Sequence, residues 1–86
     1  MKFRFSEEKN DKLIAERGIG FQEIIEKGKV LSSSSHPNQE RYPNQYIYYI
    51  EVNDEIYVVP YVVEDDKTLF LKTIFPSRKA RKKLLK

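Results

Sequence analysis

The 86-residue sequence predicts an α+β domain: helices first, then a small antiparallel sheet, then a basic helix at the C-terminus. Three observations carry that reading. Residues 7–28 place apolar side chains at helical spacing between capping and terminating residues. Residues 45–75 hold three runs rich in Tyr, Ile, Val and Leu, joined by links too short for parallel crossovers. After Pro76 six of the last ten residues are Lys or Arg and none is acidic.

Taken in order, Lys2-Phe3-Arg4-Phe5 alternates polar and apolar residues, as an exposed strand does. Ser6 is placed to cap a helix whose first turn carries Glu7 and Glu8, acids suited to its positive end. That helix is predicted over 7–17 and ends at Gly18. Phe21, Ile24 and Ile25 form the buried stripe of a second, shorter helix ended by Gly28. Lys29 to Leu31 reads as a short strand, and the serine-rich stretch from Ser32 to Asn44 as a long surface loop.

The three strands are predicted at Gln45–Val52, Ile56–Val63 and Thr68–Phe75, with turns at Asn53-Asp54 and Asp65-Asp66-Lys67. Ile50, Val58, Val62, Leu71 and Phe21 are the expected core. Pro60 lacks an N–H, so the middle strand needs a bulge or an unpaired edge there. Pro76 ends the third strand, and Ser77 caps a final helix to Lys86 with Ala80, Leu84 and Leu85 on its apolar side.

A chain this short forms one domain, 1–86, with a modest core. It has no cysteine and one histidine, so neither a disulfide framework nor a structural zinc site is expected, and no cofactor or metal is called for. No segment approaches the roughly 20 apolar residues of a membrane span. The charged opening lacks the apolar stretch of a secretory signal, so the cytoplasm is the expected compartment and no membrane partner is expected.

The net charge of +3 is unevenly spread. Residues 1–71 carry nine Lys and Arg against thirteen Asp and Glu, whereas residues 72–86 carry seven Lys and Arg and no acid, a local charge of +7. Such a concentration fits a polyanion or an acidic protein partner, or else a solvated tail. Arg78, Lys79 and Arg81 stand in the first helical turn, where the macrodipole disfavours cations by a few tenths of a kcal/mol each. A bound phosphate relieves that conflict, with the Ser77 hydroxyl, the guanidinium forks and Lys72 converging on it and Lys82 and Lys83 extending the basic face.

Six tyrosines gather around the sheet and offer either base stacking or plain packing. Tyr46 and Tyr48 share a face with Ile50 and Val52, and Tyr57 and Tyr61 share one with Val59 and Val63, which favours packing for most of them. His36, Glu40 and Arg41 stand in the long loop, where His36 is the one side chain that titrates near neutrality.

Three stretches, in order, resemble the toxins of the BrnT family. Phe5-Ser-Glu-Glu-Lys9 is similar to that family's aromatic-Asp-x-x-Lys opening, and Arg17-Gly-Ile-Gly-Phe21 with Glu23 to its His-Gly-Val-Ser-Phe-Glu-Glu. Ile74-Phe-Pro-Ser-Arg78-Lys-Ala80 resembles its Ile-Ile-Ser-Ala-Arg-Arg-Ala, and His36 with Glu40 and Arg41 resembles its His…Glu…Arg stretch. The chain departs from the pattern at Ser6 in place of Asp, Arg17 in place of His, Leu13 in place of Asn and Thr73 in place of Arg, with Lys72 adjacent.

The resemblance implies a RelE-like fold and a metal-independent ribonuclease that arrests translation by RNA cleavage. It also implies a cognate DNA-binding antitoxin of the BrnA kind that holds the toxin silent. For such a reaction Arg78, Arg81 and Lys72 are the candidates for phosphate and transition-state charge, with Tyr61, Glu40 and His36 for proton transfer. Ser77, Lys79, Lys82, Lys83 and Arg41 are the candidate RNA-binding residues. Two other classes stay open: a non-enzymatic nucleic-acid-binding module, and a protein-interaction domain whose basic segment meets an acidic partner.

Overall fold

The computed structural model describes residues 2–35 and 37–84. The chain runs β1 (Lys2–Arg4), α1 (Glu7–Arg17), α2 (Phe21–Lys27), β2 (Lys29–Ser35), β3 (Gln45–Val52), β4 (Glu55–Asp65), β5 (Thr68–Leu71), β6 (Phe75–Pro76) and α3 (Arg78–Leu84). Leu85 and Lys86, expected as the end of the last helix, lie outside the described residues. Among the described residues no helix is long and apolar enough to cross a membrane.

Local chemistry sets the two N-terminal helices. The Ser6 hydroxyl accepts the Lys9 N–H at 3.1 Å and starts α1. Gly18, at φ 72°, ends it in the left-handed conformation that glycine adopts at low cost. The residue at the start of α2, Gly20, has no side chain to cap with; the Asn10 Oδ1 of α1 takes that part and accepts the Phe21 N–H at 2.7 Å. The two helices therefore stay in fixed relation, and Phe21, Leu13 and Ile24 turn into the core.

The sheet order is β1-β5-β4-β3-β2, with β6 pairing β4 beside β5. Strands β3, β4 and β5 form the expected antiparallel meander, and the two-residue link Asn53-Asp54, both at positive φ, has the backbone of the hairpin turn that suits twisted strands. The sheet as a whole is mixed rather than antiparallel, because β1 lies parallel to β5. After the short turn that follows β4, β5 is covered on its free side by the chain's first strand, from which α1 and α2 lead to β2 at the far edge of the sheet.

Two expected boundaries move. The stretch from Ser32 is not all loop: Ser32–Ser35 continue β2 and pair with Tyr46–Tyr49, after a register shift between Val30 and Ser32. The strand expected over 68–75 is split into β5 and β6. Pro60 explains the split. Its carbonyl accepts the Lys72 N–H at 2.8 Å. In an extended strand a residue's N and O point to the same side, so the missing N–H falls where β5 stops and β6 has not begun.

One sheet face carries Ile50, Val52, Val59, Tyr61, Leu69 and Leu71 and packs on Leu13, Ile19, Phe21 and Ile24. Phe5 stacks on Phe21 with ring centroids 4.9 Å apart. The opposite face carries Ile56 and Val58, both buried, with Ala80 of α3 buried against the sheet. Val62, expected in the core, shares this second face and is half-buried, because α3 covers only the Val58 end.

Candidate nucleic-acid interface

The basic helix is seated by the strand before it. Phe75 and Pro76 pair with Val58 and Tyr57, and the Ser77 N–H continues the contact by donating to the Ile56 carbonyl at 2.9 Å. On the other side of this segment the Arg17 guanidinium donates to the Ile74 carbonyl. The Ser77 hydroxyl then accepts the Ala80 N–H at 3.1 Å and its carbonyl the Arg81 N–H at 3.0 Å, so α3 begins at a defined point and angle.

Ala80 is the buried residue of α3. Arg78, Lys79, Arg81, Lys82 and Lys83 are all exposed. Arg81 donates its Nε–H to the Asp54 carbonyl at 2.8 Å, which ties the helix to the β3–β4 turn. Lys72, also exposed, extends the β4–β5 register opposite Pro60 and so belongs to the face on which α3 sits. The structure thus brings Arg78, Arg81, Lys72, Ser77, Lys79, Lys82 and Lys83 to one side of the sheet.

Tyr61 is not among them. It points to the face covered by α1 and α2, is 7% exposed, and stacks on Tyr48 at 4.2 Å and Tyr46 at 5.6 Å between centroids. Burial, with hydrogen bonding to Tyr48 second, pushes its phenol up to about 12. The ring is a core element, and the proton stays on it at neutral pH. Arg41 and Glu40 are exposed in the β2–β3 connection, where the Arg41 N–H donates to Asn38 Oδ1 at 3.2 Å and its guanidinium carbon lies 5.5 Å from the Tyr42 ring centre. Neither lines the cavity beside α3. His36 lies outside the described residues.

That cavity, about 590 Å³, is the part of the site that the sequence did not disclose. Its apolar floor is Ile47, Tyr49 and Val58. Ser32 and Ser34 of β2 stand on one side, and Lys79, Lys83 and Leu84 of α3 on the other. Lys79 and Lys83 are four residues apart, one turn, which turns both to the same flank of the helix. Ser32 and Ser34 were hidden by the loop-like composition of their segment. Tyr49 was hidden among six tyrosines, although its place in the alternation opposite Tyr46 and Tyr48 marks it as facing the other way.

The arrangement offers fixed positive charge, one hydroxyl at a helix start and an aromatic surface in a recess. It suits a phosphate chain with unpaired bases. Among the described residues no group of three or more His, Cys, Asp or Glu side chains gathers in a way that would hold a metal ion. Comparison with protein families, with curated proteins and with solved structures finds no match to this chain.

Proposed function

We propose that this chain is the toxin of a bacterial toxin–antitoxin pair, a metal-independent endoribonuclease of BrnT type that works through its basic C-terminal segment. The observation that carries the reading is the gathering on one side of the sheet of Lys72, just past β5, with Arg78, Lys79, Arg81, Lys82 and Lys83 of α3, a helix whose start is held by Ser77. The ordered resemblance from Phe5 to Ala80 and the element order of helices, meander and basic helix support it.

On this reading Arg78 forks onto the scissile phosphate and Lys72 adds charge from just past β5, lowering the barrier as negative charge grows on the phosphoryl oxygens. Tyr61 faces the core with its proton held, so proton transfer falls to Glu40, His36 or water. The antitoxin silences the toxin by covering the basic helix.

The test is incubation of purified protein with RNA in chelator, together with growth after expression. Cleavage that persists in chelator and depends on Arg78 supports the proposal. Intact RNA together with unimpaired growth counts against it. The position of Tyr61 favours one second reading, a module that binds RNA without cutting it. That module would leave RNA intact while its affinity fell steeply with salt.

A further inference from the structure

We propose that the cavity between α3 and the β2–β4 surface seats one unpaired nucleotide, with Tyr49 as its stacking ring and Lys79 and Lys83 as its phosphate contacts. The inference rests on the RNA-directed reading above and adds the form of RNA recognised: single-stranded, with a base turned into the recess.

Size selects the occupant. About 590 Å³ lies within the range of roughly 300–1,000 Å³ typical of sites that enclose a small ligand. An amphipathic helix needs anchors over two or more turns, and a duplex keeps its bases stacked inside; neither fits a recess of this size. Chemistry agrees with size. Tyr49 lies on the floor and is half-buried, so part of its surface adjoins the cavity. Lys79 and Lys83 border the same space with two positive charges, where a nucleotide's phosphates would flank its base. Ser32 and Ser34 bring two hydroxyls from the outermost strand, each able to donate or accept at a base edge or ribose. Tyr48, the neighbour of Tyr49 in β3, cannot serve, because alternation turns it to the helix-covered face.

The experiment uses the full chain and two labelled probes read by fluorescence anisotropy. One is a short 2′-O-methyl oligoadenylate, which cannot be cleaved through its 2′ oxygen; the other is a blunt RNA duplex of equal charge. The single strand should bind more tightly. Tyr49→Ala should weaken it about 5- to 150-fold, while Tyr49→Phe, which keeps the ring, should bind nearly as wild type. Replacing Lys79 and Lys83 together by Ala should reduce the salt slope for the single strand by about 1.4. Should Tyr49→Ala fail to fold, Ser34→Trp decides, since it fills the recess from an exposed strand position and should cost the single strand more than the duplex.

Wild-type binding that neither Tyr49→Ala nor Ser34→Trp alters would overturn the nucleotide seat and leave the basic-helix reading standing. Equal affinity for duplex and single strand would overturn it too. So would a larger loss in Tyr49→Ala for a third labelled probe, an acidic glutamate–leucine peptide, than for RNA, which would assign the recess to a protein. No binding of either RNA at low salt would remove the RNA-directed reading itself.

Discussion

Ser77 separates two roles that meet at one turn, the capping of α3 and the meeting of phosphate with the basic segment. Its hydroxyl oxygen accepts the Ala80 N–H, which leaves the hydroxyl hydrogen to donate outward. In Ser77→Ala both are lost. A cap of this kind is worth about 1 kcal/mol, within a range of roughly 0.5–2, and 1 kcal/mol is about a fivefold change in the equilibrium between a formed and a frayed helix. The helix has only seven residues, and Ala80 is the one buried residue among them, so little else compensates. Amide hydrogen exchange of residues 80–84 should therefore quicken about fivefold, with the amides of β3 and β4 unchanged. Ser77→Asp keeps the capping oxygen and suits the helix dipole, so exchange should stay slow. It also sets a negative charge beside the phosphate, so affinity for RNA should fall below that of Ser77→Ala. Unchanged exchange in Ser77→Ala would refute the capping argument. Full RNA affinity in Ser77→Asp would refute the placing of phosphate at this turn.

Other outcomes follow from the same structure. Gly28→Ala puts a Cβ 2.4 Å from the Ile24 carbonyl oxygen and 2.4 Å from Ile50 Cγ2, so it should cost about 1–3 kcal/mol and lower the melting temperature by roughly 4–24 °C, as read by circular dichroism. The Tyr61 phenol is raised from its usual 10.0 to about 12 in the fold, so the unfolded chain releases that proton first as pH rises. The associated stability is present below pH 10 and should be lost between pH 10 and 12, and Tyr61→Phe should flatten that part of a pH–melting profile. Removing the guanidinium in Arg17→Ala releases the Ile74 carbonyl and should cost about 1–3 kcal/mol in urea unfolding; a change under a few tenths of a kcal/mol would show that β6 is held by β4 alone.

Local signals are legible in the sequence because their causes are local. Ser6, Gly18 and Gly28 mark helix boundaries through their own backbone and hydroxyl chemistry, and the two helices fall where those residues put them. The meander was legible because its turns are short and its strands rich in β-branched and aromatic residues. What escaped depends on partners distant in sequence. Ser32–Ser35 have the composition of a loop and become a strand because β3 supplies a ladder for them. The parallel β1–β5 pair joins residues more than sixty positions apart, and nothing in Lys2–Arg4 names Thr68–Phe70 as its partner. The missing N–H of Pro60 calls for a bulge or an unpaired edge, but only the break between β5 and β6 reveals where the chain provides it.

The candidate site divides along the same line. The basic side chains of residues 72–83 were legible as a cluster because they are nearly contiguous, and the structure sets them on one side of the sheet. Tyr61 and Tyr49 could be told apart only by which sheet face is covered by the larger core. Alternation gives the two sets of strand residues, but not which set meets α1 and α2. Tyr61 falls on that buried face, and Tyr49 falls on the cavity floor.

The most direct measurement is RNA cleavage in the presence of chelator by the wild-type chain and by Arg78→Ala, at matched concentration and with melting temperatures recorded. Arg78 is exposed at the start of α3, so its loss should leave the melting temperature unchanged. The expected result is cleavage by the wild type and a loss of about ten- to a thousandfold in Arg78→Ala, the scale of a transition-state donor worth roughly 2–4 kcal/mol, with Arg78→Lys restoring only part because it offers a point charge without the fork. Full cleavage by a stably folded Arg78→Ala would contradict the account and leave the basic helix as a surface for a protein partner.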